Sequence, residues 1–211
     1  MSHGMLGKMA LTYSKMKRRI VFVGFLLIVV LVFIRYRRPF VAIREYEDVT
    51  TYESLLAPYR AQLRNFPTDA IVGQPGRKSM RLDPTMFGPL YARLDALLPG
   101  YRVSRVHAPV EYRVYFPGSS GMDWHKDQPI HNNKEYLEGV LTLHNDSDSV
   151  FEYLDLLGIR RVVVPRKGTL VLLKPNDAVH RVTPVRNRGS REILKIVFIR
   201  DNSTTACDSR P

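Results

Sequence analysis

His125 and Asp127, with His180 and Arg191 further along, are the residues in this chain best able to do chemistry. In an extended strand, side chains alternate with period two, so His125 and Asp127 share one side. A second histidine brought in from a distance completes three facial ligands, two imidazoles and a carboxylate. That set leaves positions open on a non-haem Fe(II) for a cosubstrate and for O2. Arg191 follows His180 by eleven residues and offers a guanidinium that can hold a carboxylate through two parallel hydrogen bonds.

Such side chains need strands to position them. Residues 110–116, 122–127, 137–145, 150–154, 160–164, 168–174, 178–185 and 191–199 read as short strands. Turn signals separate them at Pro117-Gly118, Asn145-Asp146, Pro165, Pro175-Asn176-Asp177 and Arg188-Gly189. Ahead of them, 41–66 reads as a juxtamembrane stretch followed by a helix, with Leu55, Leu56, Tyr59, Leu63 and Phe66 at helical spacing. Residues 68–83 read as a loop. A second helix is expected over 84–98, capped by Asp83, with Pro84 in its first turn and Met86, Leu90, Leu94 and Leu97 on its apolar face. The fold class this predicts is mainly β with flanking helices, a sandwich or barrel covered on one face.

Composition adds an anchor and removes some alternatives. Residues 1–40 hold eight Lys and Arg and no acid, so they carry +8 of the chain's net +12. The basic balance is therefore a property of the N-terminal segment, and nucleic acid is not an expected partner. Residues 20–34 read IVFVGFLLIVVLVFI, bounded by Arg18-Arg19 and by Arg35, Arg37 and Arg38. As a helix this run spans about 22 Å at ~1.5 Å per residue. That is short against a hydrocarbon core of about 30 Å, but Tyr36 and snorkelling arginines extend it. No small-residue cleavage site follows, so 20–36 is read as an uncleaved signal anchor. Five basic residues before it and three after favour a type II membrane protein, with the following domain in the ER or Golgi lumen. The single cysteine, Cys207, rules out an intramolecular disulfide and a Cys-rich zinc site. The resulting division is a basic tail (1–19), the anchor (20–36), a helical support region (41–100), a catalytic domain (101–200) and a polar, disordered tail (201–211).

The segments YFPGSSGMDWHKDQP and HRVTPVRNRGSREILKIVF resemble the two signature regions of the prolyl 4-hydroxylase-like branch of the 2-oxoglutarate/Fe(II) dioxygenases. The resemblance covers 101–200 and rests on order as well as on motif: a strand end with Pro-Gly, then His-x-Asp, then a distal histidine, then a basic residue. It implies a double-stranded β-helix, or jelly roll, with His125, Asp127 and His180 as iron ligands. It also implies Arg191 on the distal carboxylate of 2-oxoglutarate. Collagen-type members have Lys at this point, one residue nearer the histidine, so Lys195 and Arg186 stand as fallback anchors. Lys195 is expected deeper along the strand and Arg186 in a solvated turn. Tyr115 is a cosubstrate contact or, equally, a packing residue. Trp124 is read as packing, and His131 and His144 as surface or substrate-side residues. Thr142 and Thr183 are not singled out, and 128–136 is a candidate lid. The implied reaction takes Fe(II), 2-oxoglutarate and O2, with ascorbate as a family expectation, and hydroxylates a C–H bond. A protein substrate, with peptidyl proline first, is the leading expectation. A lipid or small metabolite is the alternative, and a non-catalytic metal-binding jelly roll is a third class.

Overall fold

The structure, a computed structural model, describes residues 21–25, 28–29, 40–46, 48–63, 76–131, 135–186 and 188–201. The chain forms two compact units, 1–38 and 39–211. In the first, 21–25 and 28–29 are helical with exposed side chains. The expected anchor over 20–36 lies largely outside the described residues, and among those described no helix is long and apolar enough to cross a membrane.

Among its described residues the second unit holds eleven strands and two helices. In order these are β1 (Val41–Glu45), α1 (Thr50–Leu63), β2 (Arg77–Arg81), α2 (Gly88–Ala96), β3 (Tyr101–Val103) and β4 (Glu111–Tyr115). Then come β5 (Met122–His125), β6 (Tyr136–Asn145), β7 (Phe151–Leu154), β8 (Arg160–Val163), β9 (Thr169–Leu173), β10 (His180–Val182) and β11 (Arg191–Arg200). The larger sheet runs β1-β9-β6-β11-β4-β2, with β3 also on β11, and the smaller runs β5-β10-β7-β8. From β4 onward the chain passes back and forth between the sheets, with the β7–β8 hairpin as the turning point. That antiparallel winding is the expected double-stranded β-helix.

Alternation along the strands gives the larger sheet two apolar faces. Tyr112, Val114, Leu141, Leu143, Leu170, Leu172, Leu194, Ile196 and Phe198 face the helices, against Leu56 and Leu63 of α1 and Leu90, Tyr91 and Leu94 of α2. The other phase, with Tyr115, Val171, Leu173 and Ile193, faces the smaller sheet. The smaller sheet is covered on one side only, so β8 carries exposed Arg160, Arg161 and Val162. An ion pair fastens α1 to the sheet: Arg60 meets the Glu192 carboxylate at 2.7 Å, and the Tyr112 hydroxyl donates to the same oxygen at 2.7 Å. Between them these contacts compensate a carboxylate that the sheet buries.

Three local expectations change. Residues 41–45 are a strand on the β9 edge rather than a juxtamembrane stretch, and 77–81 form β2 on the β4 edge rather than a loop. Both edges gain their hydrogen bonds from distant partners, which no local pattern announces. The second helix starts at Gly88 rather than Pro84. Asp83 takes the backbone N–H and hydroxyl of Thr85 and, through its carbonyl, the N–H groups of Met86 and Phe87, closing a turn of its own. Pro89 then fills the helix's first turn.

Candidate active site

Antiparallel pairing of β5 with β10 sets His125 directly opposite His180. Gly121 permits the close approach. Its φ is +72°, and a Cβ there would stand 2.5 Å from the Val182 carbonyl oxygen. The imidazole rings lie 4.4 Å apart between centroids. Asp127, two residues past His125 and just beyond the end of β5, reaches both. One carboxylate oxygen is 3.5 Å from His125 Nε2 and the other is 3.5 Å from His180 Nε2. The donor atoms of the three residues all lie within 4.8 Å of one another.

Both imidazoles are oriented by their other nitrogen. His125 Nδ1 lies 2.6 Å from the Asp123 carbonyl oxygen, and His180 Nδ1 lies 3.1 Å from that of Ala178. Each Nε2 therefore points into the site, and His125 Nε2 is buried with no hydrogen-bond partner. Burial also pulls the His180 pKa below its ordinary value, which favours the neutral, ligating form. Two oriented imidazoles, one carboxylate and a buried unpaired nitrogen fit a divalent cation with open positions.

The triad opens onto a cavity lined among others by Tyr115, Met122, Phe151, Val182, Arg191 and Ile193. Arg191 pairs in register with Tyr115 across β4 and is 2% exposed. Its Nε has no hydrogen-bond partner, and no carboxylate pairs with it among the described residues. Burial pulls its pKa down, opposed by Tyr115. A buried guanidinium without a counter-charge is costly to keep, and a bound anion removes the cost. Tyr115 sits beneath it, with the Arg191 guanidinium carbon 5.9 Å from the ring centroid. Burial pushes the Tyr115 phenol up, but Arg113, Arg191 and Arg77 together leave it below the usual tyrosine range. The inner end of the cavity is thus strongly electropositive.

The fallback anchors behave differently. Arg186 is exposed, as expected for a turn residue. Lys195 lies toward solvent, with 25% of its side chain exposed, and it is bound to Glu138 at 2.9 Å. It lies further along β11 than Arg191, as expected, but is the more exposed of the two. Trp124 packs as expected, its ring 4.8 Å from the Arg181 guanidinium carbon, although it stays partly exposed. Thr183 spends its hydroxyl on the Val150 N–H, and His144 is a surface residue beside Asp146. His131 packs against His107 and Tyr136. Of the candidate lid, residues 132–134 lie outside the described residues. Sequence reading missed Glu138 and Arg113 as cavity residues. The available signal was phase: Glu138 alternates with Val140 on β6, and Arg113 with Tyr115 on β4.

No protein-family model and no curated protein matches the chain. Solved structures do. A Pseudomonas putida prolyl-4-hydroxylase aligns with a TM-score of 0.57 and 17% identity, covering 78% of this chain and 94% of that one. HygX from Streptomyces hygroscopicus, solved with nickel, 2-oxoglutarate and hygromycin B, aligns at 0.54 and 14%, covering 81% and 86%. A Trichoplax adhaerens prolyl hydroxylase, solved with a hypoxia inducible factor peptide fragment, aligns at 0.52 and 14%, covering 81% and 87%. The fold is that of the 2-oxoglutarate/Fe(II) oxygenases, and the prolyl 4-hydroxylase-like structures are among those it resembles.

Proposed function

We propose that this protein is an Fe(II)- and 2-oxoglutarate-dependent dioxygenase that hydroxylates a C–H bond. The observation that carries the reading is Arg191, a buried cation with no carboxylate partner among the described residues, in the same cavity as the His125–Asp127–His180 cluster. His125, Asp127 and His180 would hold the iron, which supplies O2 activation coupled to decarboxylation of 2-oxoglutarate. Arg191 and Tyr115 would receive the distal carboxylate and so orient the keto acid toward the open metal positions. Met122, Phe151, Val182 and Ile193 keep the cavity apolar and exclude water around the reacting groups.

Peptidyl proline is the proposed substrate, supported by the two prolyl hydroxylases among the similar structures. A small metabolite is the second reading, favoured by the likeness to HygX, whose structure holds hygromycin B. We further propose that 20–36 anchors the chain in a membrane as a type II protein. The uninterrupted apolar run between clusters of arginine supports this.

The test is anaerobic titration with Fe(II) and 2-oxoglutarate, following the visible charge-transfer band, beside His125→Ala and Arg191→Ala. The expected result is a band in the wild type, lost in the first variant and shifted to much higher 2-oxoglutarate concentration in the second. Folded wild-type protein without a band would rule the reading out. Mass spectrometry of proline peptides and of small-molecule pools then separates the two substrate readings.

A further inference from the structure

β5 carries His125 and leads to Asp127, yet it is the most thinly paired strand of the smaller sheet. It lies at the sheet edge, and among the described residues its ladder to β10 consists of His125 with His180 and Met122 with Val182, with a shift of register between the two. So short a ladder leaves the spacing of the two imidazoles dependent on side-chain contacts between the strands.

One such contact lies directly behind them. Arg181 stands between His180 and Val182, which both line the cavity, so alternation turns its side chain to the opposite face of the sheet. Its guanidinium carbon lies 4.8 Å from the centroid of the Trp124 ring. Trp124 precedes His125 and Arg181 follows His180, so in the antiparallel pair they stand across from each other, one step along from the imidazoles. A cation over an indole face is attracted by the ring quadrupole, and Trp is the strongest of the aromatic partners.

Arg181 is itself fixed. Its Nε donates to Glu152 Oε2 at 2.6 Å, and Arg160 holds Oε1 of the same carboxylate. Glu152 is 1% exposed, so a buried acid between two guanidinium groups sets where Arg181 can stand. Trp124, Arg181, Glu152 and Arg160 take one residue from each of β5, β10, β7 and β8, and their contacts reach across the whole sheet. Asp127 is held differently: its carbonyl accepts the N–H of Asn176 at 3.0 Å, in the turn before β10. Loss of the Trp124–Arg181 contact therefore frees His125 to move against His180 while the Asp127 backbone stays tied.

We propose that Trp124 and Arg181 are positioning residues for the metal site: stacked across β5 and β10 on the face away from the cavity, they fix the separation of His125 from His180. That separation sets how tightly, and in what geometry, the triad takes its ion. The proposal rests on the reading of the triad as a metal site. Neither residue lines the cavity, so both act through the histidines beside them. Removing a partner that orients a ligand typically lowers metal affinity by about ten- to a hundredfold.

The experiment is Co(II) titration of the full-length protein, read by its ligand-field absorption bands, for wild type, Arg181→Met, Trp124→Leu and Trp124→Phe. Arg161→Met is the control, because Arg161 belongs to the same sheet but pairs with Asp155, outside this set of contacts. The expected result is Co(II) binding about tenfold weaker, with displaced bands, in R181M and W124L. W124F, which keeps an aromatic face, and R161M should stay close to wild type. Thermal melts of the metal-free variants run beside the titration, since a merely structural role lowers the melting temperature without moving affinity or bands. Unchanged affinity and bands in R181M and W124L overturn the proposal and leave the triad reading in place, and so does a W124F as weak as W124L. Wild type that takes no Co(II) removes the triad reading, and this proposal with it. If one of R181M and W124L does not fold, the other decides by the same criterion.

Discussion

Arg191 is the residue whose placement is hardest to explain by stability. A guanidinium 2% exposed, with an unpartnered Nε, loses its hydration without gaining a counter-ion among the described residues. Arg191→Met, similar in length and apolar, should therefore stabilise the ligand-free protein by about 1–3 kcal/mol while abolishing 2-oxoglutarate binding. Denaturant melts with and without 2-oxoglutarate check this, and a destabilised ligand-free variant would contradict the anion-receptor role. Tyr115 gives a pH signature. Its pKa is depressed in the folded state because the surrounding arginines outweigh its burial. The folded phenol therefore loses its proton before the unfolded one does. Stability should rise as pH climbs through the folded value toward the ordinary one near 10. Over the same interval a tyrosinate enters the anion pocket, so 2-oxoglutarate affinity should fall. Tyr115→Phe should flatten both profiles, and an unchanged affinity profile in that variant would assign the effect elsewhere.

Among the elements, α1 matters most for holding the site's sheet in place without touching the site. Arg60 is about half exposed, but its partner Glu192 is 7% exposed and sits on β11, one residue from Arg191. Arg60→Met leaves that carboxylate with the Tyr112 hydroxyl as its remaining partner. The expected cost is about 1–2 kcal/mol in urea unfolding, discounted because one end of the pair is solvated. A change below ~0.5 kcal/mol would show the pair to be ornamental to the fold. The same element shows what pattern can carry. Leu56 and Leu63 were in helical phase and are buried, and β6, β9 and β11 were evident because two buried faces make nearly continuous apolar runs. β1 and β2 were not evident. VAIRE and RKSMR are ordinary exposed-looking strings that become strands because β9 and β4 present unpaired edges.

For the whole molecule, the proposed anchor at 20–36 makes a prediction about topology. If 20–36 anchors the chain with the following domain in the lumen, Asn202-Ser203-Thr204 becomes a glycosylation acceptor. Expression in a eukaryotic membrane system should then give a protein that resists carbonate extraction and loses mass on glycosidase treatment. Extraction into the carbonate supernatant would remove the anchor, and a retained but unglycosylated protein, with glycosylation restored by a sequon placed before residue 19, would reverse the orientation.

Sequence alone determined the chemistry that the site could host. His-x-Asp, a distal histidine and a following arginine are local facts about side-chain type and spacing, legible without knowledge of the partner strand, although β5 ends at His125 and Asp127 lies just past it. It also marked where most of the strands lie along the chain, because turn residues and β-branched runs are local as well. Contacts between distant segments decided the rest. Pairing of β5 with β10 brought His125 opposite His180, and the β4–β11 register put Tyr115 under Arg191. The diagonal approach of β6 and β11 joined Glu138 to Lys195, which turned Lys195 from a rival anchor into the partner of a buried acid. The physical reason is burial: a charge becomes informative once its surroundings are known to lack water, and only packing determines which charges those are.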